Sequence, residues 1–458
     1  MKKIICLALS LSFLGTQFMP AYAISEDTKK LSRKERKVLK AKTERLNYIN
    51  MPYWQDYNDE YLNAYILRAF ENNQDLKIAT LRVDQSKENV KIQRASEMPT
   101  LSAGVAPSLY KMPGVTSTEG SFAVPIIASY EIDLFLKNHD KTKSAKKMYE
   151  ASKLNEKAAY IAIASAVGST YYNIVNIDEQ IRLQETLLKD REEIYNLMKL
   201  RNEMGITSTA DLIIADKARM AAQSELYDLS KKRLMLLNSL AVLIGESPEN
   251  SDELERIAYA DLQIQMNVPE SIPSDIITQR PDYLVAEKLL EKAGIDVRIA
   301  KKEFLPRLNI MGALGFLSSS AASMSWKNSL ALLGGSALLD IFAGGAKVAN
   351  FKINKLKYEE YLQNYYKTNL TAIQEVNDTL SALKHDSEKY NTNLETLNLE
   401  KESFKLTTAE YNEGTKSKLD WIQRRENLTT MEKLVVANQL NCYIDQISLY
   451  KAVAGADL

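Results

Sequence analysis

The 458-residue sequence is poor in the residues that build disulfide scaffolds, metal sites and tight turns. It contains 2 Cys, 2 His, 16 Gly and 11 Pro. Two cysteines cannot form a disulfide framework, and two histidines leave little for a histidine metal site or a histidine-based catalytic network. Because Gly and Pro interrupt helices, their scarcity in so long a chain favours long helices.

An excess of charge and a phosphate-binding loop are also missing. Lys and Arg together number 59, and so do Asp and Glu. A dedicated nucleic-acid-binding protein would carry a basic excess. The sequence has no Gly-x-x-x-x-Gly-Lys-Ser/Thr motif for binding ATP phosphates. We therefore expect no nucleic-acid partner, no cofactor, no metal and no enzymatic activity.

The first 23 residues have the pattern of a secretory signal peptide. Lys2 and Lys3 precede an apolar run over residues 4–14, and Ala21-Tyr22-Ala23 fits the cleavage pattern. The alternative is an uncleaved membrane anchor, but a spanning helix needs about 20 apolar residues. No later stretch of the sequence reaches that length. Residues 24–57 form a charged N-terminal segment that we expect to be irregular or partly helical.

After this segment the sequence resembles itself at a shift of about 207 to 210 residues. Residues 132–135 match residues 339–342, and Asp211 corresponds to Asp420. Chance similarity is the alternative, but many matches at a nearly constant shift favour a duplication. We predict a first repeat over residues 58–245, a linker over residues 246–273 and a second repeat over residues 274–458.

Each repeat has the same predicted order of elements. A helix over residues 59–97 or 274–303 is followed by one β-hairpin. About 60 residues with at most one Gly then predict a very long helix, which ends at a Gly turn before a second long helix. Ile181, Leu188 and Tyr195 have heptad spacing, which predicts antiparallel coiled coils. Ordinary globular helices are the alternative, and they are usually shorter.

The predicted fold is therefore mainly α with a small β part. Four strands per chain cannot close a transmembrane β-barrel, whereas three chains would supply twelve strands, which is a permitted number. Long polar helices must then project away from the membrane. This arrangement predicts a tube anchored in an outer membrane. The alternative is a non-conducting periplasmic coiled-coil protein with a structural or adhesive role.

Four sequence motifs stand out in the second repeat: Arg280-Pro281-Asp282, Phe-Leu-Pro-Arg-Leu at residues 304–308, Asp-Ile-Phe-Ala-Gly-Gly at residues 340–345 and Thr-Ala-Ile-Gln-Glu-Val-Asn-Asp at residues 371–378. They resemble the signature of TolC-like outer-membrane efflux proteins, in the branch that serves resistance–nodulation–division pumps. The resemblance implies a homotrimer with a twelve-stranded β-barrel in outer-membrane lipid and a twelve-helix periplasmic α-barrel.

The same resemblance implies a function and two kinds of partner. The trimer would be the passive exit duct of a tripartite efflux or type I export system. It would dock a periplasmic adaptor protein and an inner-membrane transporter. Many members of this branch carry a lipidated Cys at the mature N-terminus, where this sequence has Ile24. Membrane attachment would then depend on the barrel alone.

The resemblance also assigns a gate and docking sites at the helix tips. Asp420 and Lys416 match the acidic and basic aperture positions, and Gln423 stands where the family often has a second Asp. Asp211 is the repeat partner of Asp420 and is expected in the same throat. Alternatively, Asp420 is only a helix-capping acid that complements the helix dipole. The predicted adaptor-docking residues are Gly205, Ile206, Thr207, Gly414, Thr415, Lys416 and Ser417.

Overall fold

The computed structural model describes residues 40, 42–110, 119–262, 268–269, 272–273, 275–318 and 329–455. The chain divides into a short N-terminal unit, residues 1–51, and a main unit, residues 52–458. In the N-terminal unit, residues 42–46 are helical. The predicted signal peptide lies outside the described residues. So do most of the polar segments at residues 113–120 and 318–325, which the sequence predicts as the loops of the two β-hairpins.

The main elements follow the same order in both halves of the chain. The first half contains α1 (Met51–Gln55), α2 (Glu60–Asn72), α3 (Gln74–Ala95), β1 (Thr100–Ala103), β2 (Ala106–Tyr110), β3 (Glu119–Ile132), α4 (Lys137–Glu203) and α5 (Thr209–Ile244). The second half contains α6 (Asp275–Gln279), α7 (Pro281–Lys302), β4 (Arg307–Ser318), β5 (Ser329–Leu338), α8 (Ala346–Asn412) and α9 (Lys418–Ala452). Two short 3₁₀ helices, Pro248–Glu253 and Tyr259–Asp261, lie between the halves.

The predicted long helices are confirmed. Helices α4 and α8 each have 67 residues, or about 100 Å at 1.5 Å per residue. Helices α5 and α9 have 36 and 35 residues. The mainly helical fold with a small sheet part is thus as expected. None of the helices in the described part of the chain has the length and hydropathy needed to cross a lipid bilayer.

The prediction of one continuous helix at the start of each half is wrong. The chain breaks at Asn73 in the first half and at Arg280 in the second. Asn73 caps α3, because its side chain accepts a bond from the Leu76 N–H at 3.0 Å. Arg280 is extended because it precedes Pro281, whose ring disfavours helical geometry in the residue before it.

Both break residues also hold the end of the last helix of their half. The Asn73 side-chain amide donates to the Leu243 carbonyl near the end of α5, at 2.8 Å. The Arg280 guanidinium donates to the Ala452 carbonyl at the end of α9, at 2.7 Å. These carbonyls lack helical partners, so each contact satisfies an otherwise orphaned acceptor.

The strands form one antiparallel sheet in which β3 and β4 are central, with β1 and β2 at one edge and β5 at the other. The described part of the chain has five strand segments where four strands were predicted, because the first strand is interrupted at Gly104. In the register of this strand pair, Gly104 faces Pro125. The Gly104 N–H donates to the Pro125 carbonyl at 3.0 Å. Pro125 has no N–H to return the bond, so the ladder is broken there.

A dense aromatic core lies where α1, α2, α4 and α9 meet. Trp54 of α1 is completely buried, and its ring contacts Tyr450 of α9 with centroids 5.0 Å apart. The rings of Tyr172 and Tyr443 stack at 4.3 Å and join α4 to α9. Gly168 of α4 leaves space for the Trp54 indole, since a Cβ there would lie 2.6 Å from the ring. This core joins the two halves of the chain.

Candidate functional site

The two helix tips end in the same backbone geometry. At the first tip, the Gly205 N–H donates to the Asn202 carbonyl and the Ile206 N–H to the Arg201 carbonyl. Gly414 and Thr415 make the equivalent bonds at the second tip, to the carbonyls of residues 411 and 410. Both glycines have positive φ, +71° and +79°. This pairing is the Schellman motif, in which glycine adopts a left-handed conformation at low cost.

The helices that leave the tips begin with matching serine caps. Ser208 accepts a bond from the Asp211 N–H at 3.1 Å, and Ser417 accepts one from the Asp420 N–H at 3.2 Å. Each serine hydroxyl also donates to the carboxylate of that aspartate, at 2.7 Å. The caps satisfy N–H groups that have no partner within the helix.

At the second tip the cap is a full capping box. Asp420 accepts a bond from the Ser417 backbone N–H at 3.2 Å in addition to the hydroxyl bond. The bonds from the Ser417 side chain and backbone, followed by the charge of Lys416, lower the pKa of Asp420. The carboxylate is therefore ionised and solvent-exposed at neutral pH. This geometry is what the helix-capping alternative requires, and it leaves a negative charge at the predicted gate position.

The remaining predicted site residues are separated into two turns. Lys416 and Gln423 are exposed near Asp420, whereas Asp211 is exposed at the first tip. Gly205 and Gly414 have nothing within 4 Å of the position where a Cβ would stand. Backbone conformation alone therefore requires glycine at these two positions, and the space around both turns is open.

The first tip presents an apolar surface, of which only Ile206 was predicted from sequence as a docking residue. Its exposed apolar side chains are Leu200, Met204, Ile206, Ile213 and Ile214. At a shift of 209 residues, the second tip has Ala, Glu, Thr, a buried Ile and Gln in these places. The comparison between repeats would have shown this difference from sequence. The two tips are thus alike in backbone and different in surface chemistry.

An ion-pair network behind the tips joins α9 to α4. Arg425 of α9 pairs with the buried Asp190 of α4, and it lies 3.4 Å from Glu193. Lys418, the first residue of α9, pairs with Glu193 as well. Burial raises the pKa of Asp190, and the Arg425 guanidinium opposes that shift. The network therefore ties the helix after the second tip to the helix before the first.

Two further contacts hold Arg425 and its neighbours in place. Glu426 pairs with Arg191 of α4 at 2.6 Å. The Arg425 guanidinium lies over the Trp421 ring, 4.5 Å from its centroid, where a cation–π attraction operates. Trp421 in turn donates to Thr408 of α8 at 3.0 Å. Sequence reasoning missed this network because its members are far apart in the chain and have no local signature.

A metal site is absent from the part of the chain that the structure describes. No group of three or more His, Cys, Asp or Glu side chains lies there in a position to hold an ion. The tips present charged, hydrogen-bonding and apolar groups at their surfaces. Such a site can dock a partner or regulate passage.

The family of the chain follows from comparison with known proteins. A sequence model of the family described as outer membrane efflux protein matches the chain twice, over residues 66–246 and 272–455. The chain belongs to this family. The resemblance to TolC-like outer-membrane efflux proteins is thereby confirmed. The protein is an outer-membrane efflux channel of a Gram-negative bacterium, with a large helical part in the periplasm.

Relatives of this efflux protein are known by name. The chain is 28% identical over 409 residues to the probable efflux pump outer membrane protein TtgC of Pseudomonas putida, covering 88% of this chain and 84% of the relative. It is 24% identical over 426 residues to the cation efflux system protein CusC of Escherichia coli O157:H7, covering 89% of each. The names of these relatives describe efflux proteins and no enzyme.

Solved structures of outer membrane channels have the same fold. The Campylobacter jejuni CmeC outer membrane channel superposes with a TM-score of 0.82 at 24% identity, covering 89% of this chain and 88% of CmeC. The open state of the Neisseria gonorrhoeae MtrE outer membrane channel superposes with a TM-score of 0.77 at 25% identity, covering 87% of this chain and 89% of MtrE.

Proposed function

We propose that three copies of the chain form a passive exit duct for small toxic compounds, gated at the periplasmic helix tips. The observation that carries this proposal is the open order of the elements. The helices pack in the order α5, α4, α9, α8, and the sheet likewise has a first-half edge and a second-half edge. Edges of this kind join head to tail, and such contacts close into a ring when the rotation allows it.

Three copies account for the exposed edge strands. The described residues of β1 and β5 are solvent-exposed throughout. Unpaired strand edges are not viable in lipid, so the edges of neighbouring copies must pair. Counting β1 and β2 as one interrupted strand, each chain supplies four strands and a trimer supplies twelve. Twelve is an even number within the range of closed outer-membrane barrels.

Ion pairs between the two helix pairs keep the duct closed. Helices α4 and α5 carry the first tip, and α8 and α9 carry the second. Arg425 and Lys418 hold the second pair against Asp190 and Glu193 of the first. In a trimer, three Asp420 carboxylates at the second tip face one another and hold cations in the throat, because like charges in a ring attract counter-ions. Asp211, Lys416 and Gln423 complete the aperture.

A periplasmic adaptor protein docks at the tips and couples the duct to an inner-membrane transporter. The first tip offers the apolar side chain of Ile206, and the second offers Thr415 and Lys416. Open space surrounds Gly205 and Gly414, so a partner can approach the backbone there. The names of two relatives, an efflux pump outer membrane protein and a cation efflux system protein, support export as the task of this duct.

The duct is tested by sizing the detergent-extracted protein and then measuring single-channel conductance in planar bilayers. We expect a trimer with small, cation-selective openings. A monomer without conductance would overturn the proposal and favour the non-conducting periplasmic scaffold.

The charge ring is tested by comparing Asp420→Asn with Asp420→Ala. The Asn side chain keeps a hydrogen-bond acceptor for the cap but removes the charge. If the carboxylates form a ring that retains cations, both variants raise the cation conductance. An effect of Ala without an effect of Asn would assign Asp420 to helix capping alone.

Docking at the tips is tested by Gly205→Trp and Gly414→Trp, with Gly205→Ala as the control. All three variants strain the positive φ, but only Trp adds bulk in the open space. We expect intact trimers in every case, with efflux lost in the Trp variants and retained in the Ala variant. Normal efflux by both Trp variants would contradict docking there.

A further inference from the structure

The four helices that adjoin the sheet carry a local excess of positive charge. Four strand ends lie at one edge of the sheet, because the strands pair in antiparallel register: Thr100, Ile132, Arg307 and Leu338. Helices α3 and α7 end just before this edge, and α4 and α8 begin just after it. The eleven residues of each helix nearest the sheet, about 16 Å of helix, together contain 15 Lys and Arg but 3 Asp and Glu. The four junctions between helix and strand add one acid each, which leaves an excess of +8 in a sequence that is neutral as a whole.

Each of these helices has two exposed basic side chains three residues apart, at equivalent positions in the two repeats. A shift of 209 residues, which also relates the ends of α4 and α8, relates the pair on α4 to the pair on α8, and a shift of 207 residues relates the pairs on α3 and α7. The four pairs are Lys143 and Lys146 on α4, Lys352 and Lys355 on α8, Lys91 and Arg94 on α3, and Arg298 and Lys301 on α7. Residues three apart are neighbours on a helix surface, where like charges repel and weaken the helix. A pattern that weakens the helices and yet occurs in both repeats indicates a negative partner outside the chain.

Most of these eight side chains have no acidic partner among the described residues. Lys91 pairs with Glu88 at 2.7 Å, and Arg298 lies 3.6 Å from Asp140. Lys355 lies over a phenylalanine ring of its own helix, 5.0 Å from the centroid. The other five form no ion pair within the described part of the chain: Arg94, Lys143, Lys146, Lys301 and Lys352. Their charges are therefore available to a ligand.

The basic pair on α4 lies on the outer face of the proposed duct. Gly168 and Tyr171 follow Lys143 and Lys146 by 25 residues, which is close to seven full turns, so all four residues share one face of α4. On that face, Gly168 and Tyr171 contact aromatic side chains of α1 and α2. A duct needs an open lumen, so the face that α1 and α2 cover is the outer one. The equivalent pair on α8 takes the same orientation by the repeat.

An exposed apolar band lies between the basic pairs and the sheet. Leu134, Leu136, Ile341 and Phe342 of the junctions are between 55% and 93% exposed. In the proposed duct the sheet crosses the outer membrane and the helices are in the periplasm, so the junctions lie at the periplasmic surface of the bilayer. Apolar side chains at this depth enter the hydrocarbon, and long basic side chains next to them reach the headgroups.

We propose that the eight basic side chains form a collar that binds phospholipids with anionic headgroups in the periplasmic leaflet of the outer membrane. Lys and Arg near a membrane surface attract anionic lipids, whereas a zwitterionic headgroup has no net charge to offer them. The inference rests on the proposed duct and goes further, because it names the class of lipid that surrounds the duct and the side chains that select it.

The collar is tested by lipid selectivity in bilayers. The purified protein is reconstituted into phosphatidylcholine vesicles, and electron paramagnetic resonance measures the association of spin-labelled phosphatidylglycerol or phosphatidylcholine with it. We expect phosphatidylglycerol to bind about fivefold more strongly, which is the contribution of one basic side chain near an anionic surface. The ratio should fall in 1 M NaCl, because salt screens exposed charges. Combining Lys143→Gln, Lys146→Gln, Lys352→Gln and Lys355→Gln should bring the ratio close to one.

Two control variants separate the collar from net charge and from side-chain size. Lys189, Lys217, Lys231 and Lys232 are exposed lysines of α4 and α5 far from the sheet. Replacing these four with Gln removes the same charge and should leave the lipid preference unchanged. Replacing the four collar lysines with Arg keeps the charge and should also retain the preference. An equal loss in the distant variant would overturn the inference, because the preference would then follow from net charge.

The remaining outcomes separate the collar from the duct itself. A conducting wild-type trimer that does not prefer phosphatidylglycerol would overturn the collar and leave the proposed function in place. A Gln variant with altered ion selectivity but an unchanged lipid preference would place these lysines in the lumen, and it too would overturn the inference. A monomer without conductance would overturn the proposed function first.

Discussion

Replacing Gly168 with alanine should loosen the core that joins the two halves of the chain. Gly168 lies within α4, where the Trp54 indole packs against the helix backbone. An added Cβ would lie 2.6 Å from Cζ3 and 2.9 Å from Cη2 of that ring, and 3.2 Å from Cδ1 of Ile447. Separations below 3.0 Å are not tolerated, and a fused ring cannot bend to relieve them. Trp54 is completely buried.

The size of the effect follows from two opposing contributions. Alanine in a helix interior is about 1 kcal/mol more favourable than glycine. Overpacking of a core costs about 1–3 kcal/mol, and a rigid ring places this site at the upper end of that range. The free energy of unfolding of the variant should therefore be about 2 kcal/mol per chain lower than that of the wild-type protein. The loss is larger if the indole leaves its site, because the burial of a tryptophan side chain is then lost as well.

Gly294→Ala is a control on the same fold. Gly294 is also inside a helix, α7, but a Cβ there would meet Tyr358 at 3.6 Å, an ordinary contact. Thermal unfolding followed by circular dichroism in detergent should give a lower Tm for Gly168→Ala and an unchanged or higher Tm for Gly294→Ala. Adding Trp54→Leu to Gly168→Ala should recover part of the loss relative to Trp54→Leu alone. A Gly168→Ala protein as stable as the Gly294→Ala protein would refute the packing argument.

Three further substitutions follow from the structure. Arg425→Ala strands the buried Asp190 carboxylate, which costs about 3–5 kcal/mol, so Tm should fall and channel conductance rise, whereas adding Asp190→Asn should restore stability. Burial and a neighbouring carboxylate raise the pKa of Asp445 to about 6. The folded state therefore holds this proton more tightly than the unfolded chain, and its stability falls as pH rises from about 4 through 6. Asp445→Asn should accordingly raise Tm at pH 7.5 and leave it unchanged at pH 4. In Gly245→Ala the residue keeps a positive φ, and its Cβ would lie 2.6 Å from backbone atoms of α2. In Gly205→Ala only the positive φ is strained, which lowers the free energy of unfolding by about 1 kcal/mol. The Tm of Gly245→Ala should therefore be well below that of Gly205→Ala.

The long helices and their turns were predictable because their signals are local. The near absence of Gly and Pro between residues 140 and 203 is visible in the sequence, and so are the glycines that end both tips. The repeat was visible as well, because many weak matches fall at one shift. The serines that cap the next helices, Ser208 and Ser417, stand directly before Thr209 and Lys418 and are equally local signals.

The helix breaks and the divided strand could not be predicted because they depend on distant partners. In the sequence, Asn73 looks like an ordinary helix residue. Its side-chain amide donates to the Leu243 carbonyl, which is 170 residues away in the chain, and the sequence does not show this contact. Pro125 is plain in the sequence, but its effect on the first strand depends on the register that sets it opposite Gly104. Pattern alone does not fix that register.

The second helix tip and the ion pairs behind it also combine features that follow from neighbouring residues with features that depend on distant ones. The capping geometry of Asp420 follows from the Ser-x-x-Asp spacing of its own turn. The pair of Arg425 and Asp190 joins residues 235 positions apart, and neither residue is distinguished by its neighbours. A single sequence supplies no information about such a pair. The residues that hold the tips together were therefore found only from the structure.

The equal length of α4 and α8 has a consequence for how this protein can change in size. A deletion of seven residues shortens a helix by about 10.5 Å and keeps its heptad face in phase. Made in one helix alone, it would leave one tip higher than the other and misalign every cross-helix pair below the cut. Made at matching places in α4, α5, α8 and α9, it would shorten the periplasmic part evenly. The reach of the protein across the periplasm is thus set in steps of one heptad, and both repeats must take each step together.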